Sequence, residues 1–204
     1  MNINLDLWEK TDAKEFGEYE SLKLGGHEIK ILDAREHTSE ISGNISLKIS
    51  VDIAGKDEQA GFFQKQYDNN TNEDKKWSNG ACKYLSLKDD QLAYLKGFIT
   101  ALEKSNPNFK FNTKGEWKQL EGLKLAGVFG LEEYEKQDGT IGTTTKLIQF
   151  RSLDKLNDIK IPKVKLLDGT MVEYENYKPN FNENSTDPFA QYSDVVEISD
   201  DILD

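Results

Sequence analysis

Ile45, Leu47, Ile49, Val51 and Ile53 alternate with polar partners along ISLKISVDI, and this strict period of two predicts a half-buried strand. Upstream, Glu28 to Glu36 (EIKILDARE) alternates less regularly. Ser39 to Asn44 (SEISGN) between them carries turn residues, so the two segments predict an antiparallel hairpin. Gly61 to Tyr67 (GFFQKQY) reads as a third strand, on which Phe62 and Phe63 point to opposite faces, so that at most one can stack a base while the other packs the core. Asp68 to Gly80 is too polar for a core and reads as a long loop holding Trp77. Leu92, Leu95, Phe98 or Ile99, and Leu102 then recur at three- and four-residue spacing, Ser86 and Asp89 resemble a capping box, and Asn106-Pro107 is a stop signal. A helix over 88–104 follows from these features. Leu123 to Leu131 and Thr144 to Arg151 read as two more strands, with a turn at Asp138-Gly139.

Three strands, one helix and two strands is the order of the five-stranded oligonucleotide/oligosaccharide-binding barrel, the OB fold. The expected class is mainly β with one principal helix, an OB-like barrel (β-β-β-α-β-β) and a disordered acidic tail. The expected division is an N-terminal extension over 1–21, the barrel over 22–167, a linker over 168–181 and the tail over 182–204. That tail holds no Lys or Arg and too little apolar surface to offset the entropy of ordering.

Charge refines this picture. The 204 residues carry 26 Lys and Arg against 37 Asp and Glu, a net −11 that argues against a generally basic nucleic-acid coat. The excess is uneven: Ala60 to Lys165 holds 18 basic and 14 acidic residues, whereas Glu183 to Asp204 holds 7 acidic and none basic. The chain has no long apolar run, and its opening MNINLDLWEKTD has neither a basic n-region nor an apolar h-region, so a cytoplasmic protein with no membrane partner is expected. Cys82 is the sole cysteine, and with His27 and His37 it cannot assemble a Cys/His zinc site.

No phosphate-loop, dinucleotide, zinc-protease or serine-hydrolase string occurs. Glu28-Ile29-Lys30, with Glu18 or Glu20 as a further carboxylate, is the best nuclease-like arrangement. In so charged a chain it reads first as a solvated strand, and a non-enzymatic protein without cofactor or metal is expected. Binding features are denser. Phe62, Phe63, Tyr67, Trp77 and Tyr84 interleave with Lys65, Lys75, Lys76 and Lys83, which supplies flat faces for bases and cations for phosphates, although each aromatic but Trp77, taken singly, reads first as core packing. Trp77, flanked by Asp74, Lys75, Lys76, Ser78 and Asn79, is expected to be an exposed contact. On that basis Trp77→Ala removes a stacked base worth roughly 1–3 kcal/mol and leaves folding nearly intact. Phe109, Phe111 and Trp117 with Lys110, Lys114 and Lys118 fit a barrel-end cover or stacking equally well. Lys124, Lys146 and Arg151 lie on predicted strands and face either solvent or groove.

Asp52-Ile53-Ala54, the GFF of Gly61 to Phe63, the KKW of Lys75 to Trp77, FITALEKSNPNF from Phe98 to Phe109, GVFGLEEY ending at Tyr134, and IPKVK from Ile161 to Lys165 together carry a resemblance. Between about His27 and Lys165 the chain resembles small single-stranded DNA-binding proteins from the replication modules of phages of Gram-positive bacteria. The resemblance implies protection of single-stranded DNA during phage replication or recombination in the bacterial cytoplasm. The acidic end is also similar to the tails of bacterial single-stranded DNA-binding proteins, which dock replication or recombination partners. By that likeness Phe189, Asp200, Asp201, Ile202 and Leu203 would bind such partners, although the chain ends Ile202-Leu203-Asp204 and not on Pro-Phe. Tethered beside a net-basic segment, the tail reads equally as a competitor with DNA for the lysine-lined groove and as a solubilising appendage that touches nothing. The net −11 supports an alternative: a protein-interaction module, such as a recombinase or helicase loader or a DNA-mimicking inhibitor of a host enzyme.

Overall fold

The computed structural model describes residues 21–179. The acidic tail with Phe189, Asp200, Asp201, Ile202 and Leu203 lies outside the described residues, as do Glu18 and Glu20.

The alternating segment forms β2 (Ile45–Ile53), paired antiparallel with the longer β1 (Gly25–Thr38). Leu47, Ile49 and Val51 are fully buried on one face, as their period requires. Leu32 is an extra residue in β1 where the register shifts between Ile31 and Asp33, and Ala34 returns to the core beyond it. β1 also pairs antiparallel with β4 (Lys124–Glu135), which pairs in turn with β5 (Ile141–Arg151) through the Asp138-Gly139 turn. Gly139 takes the left-handed backbone that this turn needs, with φ 79°.

The third strand is not where the pattern put it. Phe62–Asn69 is a helix, α1, and β3 is Cys82–Ser86, paired antiparallel with β2. Adjacent phenylalanines followed by Tyr67 four residues after Phe63 suit a 3.6-residue period and break an alternating one. Asp52 fixes the start of α1, because its carboxylate accepts the Phe63 N–H at 3.0 Å beside that of Ile53 at 2.8 Å. Gly61, at φ 73°, turns the chain into the helix. The Asp52-Ile53-Ala54 and Gly61 to Phe63 motifs therefore meet in one structural joint. Phe62 and Phe63 are both buried, at 5% and 3% exposure, so the strand reading that sends them to opposite faces, and Phe62 as a base contact, are corrected.

The predicted principal helix is α2 (Leu92–Ser105), continued backward by a single 3-10 turn over Asp89–Gln91. Phe98 and Leu102 are its buried contacts with the core. Asn106 ends it by donating from Nδ2 to the carbonyls of Leu102 and Lys124, both at 2.8 Å. Two short strands complete the sheet: β6 (Val164–Lys165), parallel to β4 at Glu132, and β7 (Met171–Val172), antiparallel to β6. The span 168–181, expected as a linker, thus contributes β7 and also the Tyr177 hydroxyl, which donates to Glu133 at 3.0 Å. Burial, with Glu133 beside it, pushes the Tyr177 phenol up to about 12 and keeps it a donor.

The result is a mainly β mixed sheet of seven strands, with β5 on the far side of β4 from the path β3-β2-β1-β4-β6-β7. No ladder joins β3 to β5 among the described residues, so the sheet is not closed into the expected barrel. The two edges still converge. A Cβ built on Gly80, just before β3, would collide with the Thr145 carbonyl oxygen of β5. No helix among the described residues is long and apolar enough to cross a membrane.

Candidate nucleic-acid interface

Where the β3 and β5 edges fail to pair, α2 walls a groove of about 680 Å³. Lys83, Lys104, Arg151 and Lys155 line it, and no carboxylate does. None of the four makes a salt bridge among the described residues. Tyr94 adds aromatic surface, 75% exposed, and Phe150 sits half-buried beside Phe98 with ring centroids 4.7 Å apart, whereas the Tyr84 ring packs on His37 at 5.2 Å and under Lys48 Nζ at 5.8 Å. Gln91 and Gln149 supply amide donors and acceptors at the wall. A second concavity of about 530 Å³ continues past β5 toward Ile161 and Lys163 and shares Ile148, Gln149, Arg151 and Lys155 with the first.

Local sequence explains this shape. In β5 the register with β4 slips between Leu147 and Gln149, leaving Ile148 as a bulge residue shared by both concavities. On α2, Tyr94, Gly97, Ala101 and Lys104 recur at spacings of three and four, a face distinct from the buried Phe98 and Leu102. The small residues leave room between the Tyr and the Lys. A Cβ at Gly97 would meet nothing within 4 Å beyond the helix itself. Gly97→Ala is expected to raise unfolding stability by about 0.5–1 kcal/mol without loss of binding, whereas Gly97→Trp fills the groove and weakens oligonucleotide binding in a still-folded protein. Chemical denaturation and oligonucleotide titration of the two variants check this.

The sequence-derived candidates divide. Lys83, Tyr84 and Arg151 line the groove. Lys65, Tyr67, Lys75, Lys76 and Trp77 do not, and they gather instead on α1 and the loop after it, with Lys75 Nζ 4.6 Å from the Tyr67 ring centre. Phe62 is core, which removes it from any exposed contact set. Lys124 is paired with Glu28 at 2.8 Å and Lys146 with Glu132 at 2.7 Å. Glu28 is thereby engaged as a structural counter-ion. Phe111 and Trp117 stack at 5.8 Å and, with Phe109, pack against the core.

Trp77 corrects the expectation most clearly. It is half-buried, packs against the core cluster and donates from Nε1 to the Val51 carbonyl at 3.2 Å. Polar neighbours in sequence concealed a partner 26 residues away. Trp77→Ala is now expected to lower stability by about 2 kcal/mol, below the cost of a fully buried ring plus its hydrogen bond. A urea titration reads this directly, and an unchanged midpoint would restore the exposed-contact view.

Tyr94, Lys104, Phe150 and Lys155 were missed. The signal available for the two α2 residues, Tyr94 and Lys104, was the second periodic face, overshadowed by the apolar one. Among the electrostatics, burial holds the Lys83 ammonium below the usual lysine range; Glu132 opposes this, while Lys165 and Lys146 add to it. Burial raises the Glu132 carboxyl, but the Lys146 hydrogen bond and charge, aided by Lys165 and Lys83, outweigh it and leave the group below the usual carboxylate range. Among the described residues no group of three or more His, Cys, Asp or Glu side chains is placed to hold a metal ion.

Comparison with family models and with curated proteins found no match to this chain.

Proposed function

We propose that this protein binds single-stranded DNA without catalysis, along the groove between α2 and the unpaired edges of β3 and β5. The observation that carries the reading is a concavity with four cations and no carboxylate in a chain whose net charge is −11. A net-acidic protein binds phosphates only by segregating its lysines and arginines, and this groove is such a segregation. Tyr94 and Phe150 offer the flat surfaces on which unpaired bases stack. The strand order β3-β2-β1-β4-β5, with α2 between β3 and β4 along the chain, supports an OB-like origin opened between the β3 and β5 edges. A role in phage replication or recombination follows from the resemblance of the sequence motifs, with cytoplasmic action in the bacterial host as part of the same proposal.

Titration of a labelled oligothymidine at low salt tests the reading, with a duplex of the same length as comparison. Preferential single-strand binding that weakens linearly with the logarithm of salt is expected. Equal affinity for duplex, or no binding at low salt, favours the alternative of an interaction module that presents its acidic surface to a protein partner.

A further inference from the structure

Beyond the groove, four strands each send one charged side chain to the same place. Glu132 on β4 lies directly opposite Lys165 on β6, and its pairing partner on β5, Thr144, is two residues from Lys146. One carboxylate oxygen meets Lys146 Nζ at 2.7 Å and the other meets Lys165 Nζ at 3.9 Å. Lys83 on β3 completes the group. It is half-buried, has no carboxylate at salt-bridge distance among the described residues, and yet is near enough to feel the charges of Glu132, Lys146 and Lys165. Two ammonium groups thus share one carboxylate, and a third stands near them with no ion-pair partner among the described residues. Like charges held together on a sheet destabilise it, so a cluster with so little compensation is adapted to an added anion.

We propose that Lys83, Lys146 and Lys165, gathered around Glu132, form a phosphate-binding subsite at the end of the α2 groove. Lys83 belongs to both, since it also lines the groove wall. The ligand chemistry is a phosphate group, supplied either by the backbone of a strand leaving the groove or by a free phosphate compound. The first source rests on the single-strand reading. Glu132 holds two of the lysines in place with its two oxygens and at the same time opposes the incoming anion. That dual role gives the site a signature: loss of a lysine and loss of the glutamate change affinity in opposite directions.

The test uses the full chain and a labelled oligothymidine, with affinity measured across a salt series. Lys83→Met, Lys146→Gln and Lys165→Gln are each expected to reduce the magnitude of the salt slope by about 0.7, which corresponds to about fivefold weaker binding near 0.1 M salt. Glu132→Gln is expected to tighten binding. Lys23→Gln, a solvent-facing charge paired with Glu58, serves as control. If wild-type protein binds the strand and the lysine variants match it, or if Glu132→Gln weakens binding, the subsite is overturned while the groove reading stands. If wild-type protein binds no oligonucleotide, the groove reading fails, and inorganic pyrophosphate followed by lysine side-chain NMR then decides the subsite. Shifts at Lys83, Lys146 and Lys165 support it with a free phosphate compound as ligand, and their absence overturns it.

Discussion

Replacing Arg151 and Lys155 together with glutamate is expected to weaken oligothymidine binding by at least about 25-fold near 0.1 M salt, the cost of losing two single-strand phosphate contacts before any repulsion is counted. These two residues are chosen because both concavities share them, so any strand following the groove passes them. Both are exposed and neither forms a salt bridge among the described residues. The fold should therefore tolerate the change, with stability within about 0.5 kcal/mol of wild type. Fluorescence anisotropy measures affinity and urea unfolding measures stability on the same preparations. Wild-type affinity in a folded double variant would remove the groove from consideration. It would return attention to Lys65, Lys75 and Lys76 on the α1 side.

The contrast between these two sets of lysines shows how far the sequence could be read. β2 was legible because its alternation is strict and one face is wholly buried, so pattern and packing state the same thing. α2 was legible in its apolar face, which predicts packing, but not in its second face, where Tyr94 and Lys104 gain meaning only from the arrival of β3 and β5. β3 itself is five residues long with a single buried side chain, Cys82, too little for a periodic signal. Local composition misled at Trp77 and at Phe62. Both follow polar or turn-like stretches, yet one is held by the β2 backbone and the other by a helix that Asp52 starts from across the fold. Aromatic and basic residues in one stretch of sequence thus divided between a packed flank and an open groove. The separation was set by pairings between distant strands.

Gly80 is the position where that division is maintained, and Gly80→Val is expected to destabilise the protein by about 1–3 kcal/mol or more. Its backbone lies outside the left-handed region, so the demand on this residue is for space and not for conformation. It is buried in the turn before β3, where Ser78 Oγ accepts its N–H at 3.3 Å. A side chain here meets the Thr145 carbonyl oxygen, which belongs to a strand held by the β4 ladder and cannot rotate aside as a flexible side chain would. Relief must come from separating the end of β3 from β5. Lys83 and Tyr84 on one wall of the groove would then move away from Arg151 on the other, so strand affinity should fall together with stability. Gly97→Ala provides the opposite case, a methyl group added to open space on the same groove. Urea unfolding and oligothymidine titration of both variants distinguish the two demands. Wild-type stability in Gly80→Val would show that β3 and β5 do not approach here, and the groove between them would lose the contact that fixes its width.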